Sequence, residues 1–297
     1  GTVTVNGVVG EAGGNWGVVK TGPGALVLTA TNTFTGGSAV NAGTLRIGGS
    51  GVLGSGAYPA AIANSAVLAF DSTANQSLSG ALSGTGVLTK SGSGALTLTG
   101  VQPYTGPTVV NGGTLIYSNL TQDFYSASIS NTANVAFHAG GNVAYAVNSV
   151  LSGNGNWVVD GPGGGTVYEN RVILRGTNNP STSSINVVGS GKLWLDRNNN
   201  SIADSVIVSL TTTGSQFYIY SDATPANQVN ETIGGLSGSG NVYGWLGGGS
   251  VHPALTVGGG VQFDVTERFY VKPEVRALVV FAAGDQLTLA TMTVGFG

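Results

Sequence analysis

The sequence predicts an all-β chain, a parallel β-solenoid over residues 1–246 followed by a short antiparallel meander over 247–297. Three observations carry that expectation. The string from Lys20 to Leu45 returns as Lys90 to Leu115 with more than half of its positions identical. Glycine, 51 of the 297 residues, recurs at fixed places within that string. Helix signals are nearly absent, because no apolar stripe keeps a 3.6-residue period and an interior glycine costs a helix ~1 kcal/mol relative to alanine.

Composition removes several alternatives. Only 8% of residues are charged, net charge is −3, and 41% are apolar, so the chain is neither a charged disordered polymer nor a basic nucleic-acid binder. With no cysteine, disulfide scaffolds and thiolate metal sites are excluded. Nine prolines and no Gly-X-Y period exclude collagen.

The repeat supplies the architecture. Lys20-Thr21-Gly22-Pro23-Gly24-Ala25-Leu26-Val27-Leu28-Thr29, then Phe34-Thr35-Gly36 and Val40-Asn41-Ala42-Gly43-Thr44-Leu45, form the first copy. Lys90-Ser91-Gly92-Ser93-Gly94-Ala95-Leu96-Thr97-Leu98-Thr99, then Tyr104-Thr105-Gly106 and Val110-Asn111-Gly112-Gly113-Thr114-Leu115, form the second. A weaker third copy runs from Trp157-Val158-Val159-Asp160-Gly161-Pro162-Gly163 through Val172-Ile173-Leu174 and Ile185-Asn186-Val187 to Gly191-Lys192-Leu193, with an insertion near Gly164 to Glu169. A second motif, L-S-G-x-G, begins at Leu82, Leu151 and Leu236. A short repeat that cannot cover its own apolar face stacks on its neighbours. Coils of ~20–25 residues are expected. Inward positions such as Leu26, Leu28, Val40 and Leu45 are expected to form ladders with their counterparts in other coils, and glycines to occupy the corners.

The string from Lys20 to Leu45, and its copy from Lys90 to Leu115, resembles the passenger-associated transport repeat of bacterial autotransporters. That resemblance implies a right-handed parallel β-helix, secreted by or displayed on a Gram-negative bacterium. It does not by itself fix an activity, since passengers include adhesins, enzymes and plain stalks.

After Gly247-Gly248-Gly249-Ser250 the pattern changes. Residues 254–265 and 269–281 alternate apolar and polar, and Gln286 to Phe296 gives a third strand. The segment resembles the last three strands of an outer-membrane β-barrel. Three strands cannot close a barrel, so a cap on the solenoid, a sheet shared between subunits and part of a membrane anchor all stay open.

No residue is assigned to catalysis, to a cofactor or to a metal, and no cofactor is expected. His138 and His252 stand without a partner motif, and no nucleophile elbow is present. Asp196 to Asp204 begins like a calcium loop, but Ser201 and Ile207 replace the expected Gly and Glu, which favours an Asn-rich turn. Asp160, Glu169, Arg171, Arg175, Asp196 and Arg197 are read as surface charges of the third copy. Trp16, Trp157 and Trp194 sit in comparable repeat contexts, as capping or lateral packing rather than a sugar platform. Phe217, Tyr218, Ile219 and Tyr220 read as one strand with two usable faces.

The functional expectation is a non-enzymatic extracellular scaffold that self-assembles through solenoid ends and C-terminal strands. A monomeric adhesin or glycan-binding passenger is the alternative, and a polysaccharide-cleaving enzyme ranks below both. The expected partners are further copies of the chain, with surface glycans and the outer membrane (through 251–297) as further candidates, and no nucleic acid.

Overall fold

A computed structural model of the chain describes residues 1–118, 123–140, 144–162, 171–175, 184–196, 206–221, 235–239, 241–246, 255–257, 269–271, 277–281 and 287–291. Two compact units divide it, Gly1–Phe137 and His138–Gly297. Each is built from short parallel strands stacked coil upon coil, so the expected β-solenoid is present.

In the first unit each coil turns through up to three sides. One side stacks Thr2–Val5, Ala25–Leu28, Thr44–Gly49, Val67–Ser72, Val87–Lys90, Thr108–Val110 and Ser128–Asn131. A second stacks Val19–Lys20, Ser38–Val40, Ile62–Asn64 and Leu82–Ser83. A third stacks Ala57–Tyr58, Gln76–Leu78, Ala95–Leu98 and Thr114–Ser118. Successive coils carry the chain from Thr2 to Ala25, on to Thr44, to Val67 and to Val87, in agreement with the expected coil length. Strands alternate buried and half-buried positions, as in Ala95–Leu98 and Val87–Lys90, because inward residues fill the coil and outward ones meet solvent.

Leu45, Leu68 and Leu88 are opposite one another in the register and at most 1% exposed. Burying such a side chain contributes roughly 1.5–3 kcal/mol. Leu28 and Val40 are buried as expected, while Leu26 is half-buried. The core also holds a polar chain. The Tyr104 hydroxyl lies 2.8 Å from both the Thr108 and Tyr117 hydroxyls, and Ser126 donates to the Gly106 carbonyl at 2.8 Å. Burial pushes the Tyr117 hydroxyl up to about 12, so it stays a neutral donor.

One expectation is corrected. The inward leucines of the first copy do not stack on those of the second. Each copy stacks on itself: Leu26 lies opposite Leu45, and Leu96 opposite Leu115. Three coils from Ala25 end at Val87, and Ala95 lies one side further round. The offset between the copies is therefore three coils plus one side. It places them on different sides of the solenoid.

Corner glycines follow from backbone contact. Gly43 and Gly113 end the V-x-x-G string with φ of +67° and +61°, and a Cβ there would sit 2.2 and 2.3 Å from the Gly24 and Gly92 carbonyl oxygens of the previous coil. The L-S-G-x-G motif has the same origin: Gly84, Gly153 and Gly238 take φ of +102°, +95° and +103°.

In the second unit several coils lengthen. A single coil there runs from Ala144 to Arg171, and another from Ile207 to Gly235, each longer than the coil from Thr2 to Ala25. One sheet stacks Asn156–Asp160, Ile185–Val187, Ile207–Leu210 and Gly235–Gly238. Another stacks Ala144–Val147, Arg171–Leu174, Lys192–Asp196, Gln216–Ser221 and Asn241–Leu246. The antiparallel C-terminal strands are also present, with one change. Leu255–Val257, Ala277–Phe281 and Leu287–Thr291 pair in the expected order. Phe269–Val271, expected to be continuous with 277–281, instead pairs antiparallel with Asn241–Leu246. Pro273 lies between the two ranges in the sequence, and a proline cannot donate to a ladder.

Candidate functional site: the outer face of the aromatic sheet

The sheet running from Ala144–Val147 to Asn241–Leu246 concentrates aromatic and basic residues. Tyr145, Val172, Leu193 and Phe217 form one column in register, each fully buried in the coil interior. The next residue of each strand, Ala146, Ile173, Trp194 and Tyr218, belongs to the opposite face, because side chains alternate along a strand. These four are also buried, between 0 and 4% exposed, and form one apolar cluster. The sheet is therefore buried on both faces, which explains the uninterrupted apolar reading of Val172-Ile173-Leu174.

Trp194 and Tyr218 stack with ring centroids 4.7 Å apart and planes 25° apart. The Arg171 guanidinium lies 4.3 Å from the Trp194 ring centre, within cation–π range. Lys192, opposite Arg171 in the register, is 5% exposed. The Tyr218 hydroxyl donates to Gln216 Oε1 at 2.8 Å. Tyr243 continues the Trp194 and Tyr218 row in register, and Trp245 follows Tyr220. Trp194 and Tyr218, each 2% exposed, are packed away from solvent, so they hold the sheet together rather than present an open stacking surface.

The three tryptophans expected in comparable contexts are not comparable. Trp157 is an interior residue, 2% exposed, while Trp16 is 63% exposed on a loop. Trp194 alone packs on the outer face, so they share no platform. The third-copy charges are also separated. Asp160 pairs with His138, Nδ1 to Oδ2 3.2 Å, and accepts from the Gly161 amide at 2.7 Å, whereas Arg171 lies on the other sheet against Trp194. Glu169, Arg197, His252 and residues 197–204 of the Asp196 loop lie outside the described residues. Among the described residues no cluster of three or more His, Asp or Glu is placed to hold a metal.

Sequence reasoning missed Glu11. Its carboxylate accepts from the Thr35 hydroxyl at 2.6 Å, the Thr35 amide at 3.1 Å and the Trp16 amide at 2.8 Å. These bonds, the Thr35 hydroxyl foremost, hold its pKa below 4.5. A lowered folded-state value means that the loop's stabilisation is present above the unfolded pKa and is lost as pH falls through the folded one. On acidification the Trp16 and Thr35 amide resonances should therefore move together, with a midpoint below 4.5. Glu11→Gln should abolish that titration. Unchanged amide shifts down to full protonation would show that the staple does not form.

The model of the passenger-associated-transport-repeat matches residues 18–47 and 88–116, the two copies that each stack on themselves. Over 138 residues the chain is 33% identical to "Adhesin BmaC autotransporter" of Brucella suis biovar 1 (strain 1330), an alignment covering 36% of this chain. The chain spans about 4% of the length of that relative. No solved structure matches it. The chain thus carries two segments that match the passenger-associated-transport-repeat on a β-solenoid, a likeness that implies a secreted or cell-surface location in a Gram-negative bacterium.

Proposed function

We propose that the chain is a non-enzymatic stretch of an adhesin-type autotransporter passenger, a β-solenoid that presents an adhesive surface outside the outer membrane. The observation that carries this reading is where the repeats fall: both matched segments are themselves stacked coils, so the repeat builds the rod rather than decorating it. Similarity to an adhesin supports the same reading. The scarcity of general acids and bases, 13 carboxylates and two histidines in 297 residues, supports a structural role over hydrolysis.

Self-assembly, the leading expectation, gives way here to the adhesin alternative. The edge of Asn241–Leu246, one of those that a neighbouring copy could extend, pairs with Phe269–Val271 of the same chain. Within this proposal residues 1–246 are the β-solenoid, and the C-terminal strands cap it where Phe269–Val271 pairs with Asn241–Leu246. Surface glycans are the proposed partner class.

The test is display of the chain on a non-adherent Gram-negative host through an unrelated outer-membrane anchor. Adherence to mammalian cells should rise above that of the anchor alone, and sugars from a glycan array that bind the purified chain should compete with it. Adherence equal to the anchor alone would overturn the proposal. Concentration-dependent growth into fibres, followed by light scattering, would return the self-assembly reading.

A further inference from the structure

The lysine that opens each strong repeat is not a surface residue. Lys20 and Lys90 are 7% and 2% exposed, each on a buried strand position immediately before a corner. Lys20 Nζ donates to the carbonyls of Thr21 at 2.8 Å, Gly22 at 2.7 Å and Ala42 at 3.0 Å. Lys90 Nζ donates to the carbonyls of Gly92 and, at 3.0 Å, Gly112. In both copies the acceptors come from two places, the lysine's own turn and the corner one coil later. Lys20 is opposite Val40 and Lys90 opposite Val110, so Ala42 and Gly112 hold equivalent positions in the next coil.

The corner is shaped around the ammonium. A Cβ on Gly43 would lie 2.7 Å from Lys20 Nζ, and one on Gly113 2.6 Å from Lys90 Nζ. Core filling alone does not require a lysine there. In the third copy the strand position opposite Val187 is Val159, apolar and 1% exposed. A lysine costs desolvation that a valine does not. Burial lowers the Lys90 pKa to about 8, which leaves the ammonium the major form at neutral pH. What the lysine adds is a set of charge-assisted hydrogen bonds to carbonyls of two consecutive coils.

We propose that Lys20 and Lys90 are tethered cations, each filling a carbonyl-lined site at a solenoid corner and locking two consecutive coils together. The chemistry of the site is that of a small ammonium ion, so truncating the lysine should leave a pocket that takes a free alkylammonium. This holds whether or not the passenger is an adhesin.

The test uses the full chain and native-state amide hydrogen exchange at neutral pH. In Lys90→Met, which keeps the volume and removes the charge, the Asn111 and Gly112 amides and those of Thr114–Ser118 should exchange about tenfold faster. In Lys90→Ala the same amides should be loosened, and methylammonium chloride should restore protection that equal sodium chloride does not. Leu88→Ala, which opens an apolar cavity beside the same strand, should be insensitive to methylammonium. Lys20→Ala repeats the measurement on Ser38–Val40 and Thr44–Gly49, near the first coil, where a local loss leaves later coils folded. Lys90→Met exchanging like the parent chain would overturn the proposal. So would methylammonium having no effect on the alanine variants, or acting equally on Leu88→Ala.

Discussion

Leu88→Ala is expected to lower the free energy of unfolding by about 3 kcal/mol, within the ~2–5 kcal/mol seen when a buried leucine is truncated in a rigid core. Leu88 is 0% exposed, with Leu68 directly below it and Thr108 directly above in the register. The parallel ladder fixes the coil spacing, so neighbours cannot close on the cavity without breaking backbone hydrogen bonds on the same strands. Urea unfolding followed by circular dichroism measures the effect. A loss below about 1 kcal/mol would mean that the coil collapses around the gap and the stack is softer than its register implies. Each coil of a solenoid touches mainly its neighbours, so the loss should localise, with exchange accelerated over the parent chain more at the amides of Val67–Ser72 and Thr108–Val110 than at those of Thr2–Val5.

Gly113→Ala is expected to cost at least about 3 kcal/mol, through two additive causes. A φ of +61° costs an L-residue roughly 1–2 kcal/mol. The new methyl would also sit 2.3 and 2.6 Å from the Gly92 and Gly94 carbonyl oxygens, which are backbone atoms of the coil beneath and cannot rotate aside. Thermal unfolding should show the drop. Gly113→D-Ala, made by segment ligation, takes a positive φ without the L-residue cost and carries its methyl at the other α-hydrogen, so it should destabilise less than the L-variant. Equal stability of the L-variant and the parent would show that the corner has room the geometry denies it.

The strands, their parallel stacking and the coil length were legible because each rests on local chemistry. Alternation in Ala95–Leu98 and glycine punctuation at Gly84 and Gly113 suffice to mark strands and corners. The phase of the repeat was not legible. Nothing in the strings at Lys20 and Lys90 says that the step from one to the other is three coils plus one side, since that depends on summed turn lengths along the intervening chain. The two-sided burial of Ile173, Trp194 and Tyr218 escaped for a related reason: a strand's alternation reports one buried face, and here both are buried. The buried role of Lys20 and Lys90 was hidden by residue type, because lysine reads as solvent-facing until the carbonyls around its Nζ are located. Pro273 did carry a signal for the split of the C-terminal strand, in the missing donor that an unbroken 269–281 ladder would have needed.

The offset of three coils plus one side has a consequence for how the surface is displayed. Had the copies been in phase, every outward group of the motif would point the same way, and the rod would have a front and a back. Because the second copy is turned by one side, Val27 and Thr97, which occupy the same place in the motif, belong to differently oriented sheets. Duplicating such a module works like stepping round a staircase. Each added copy presents the same chemistry in a new direction, so a passenger that lengthens by this unit covers the space around its axis without evolving a second kind of surface.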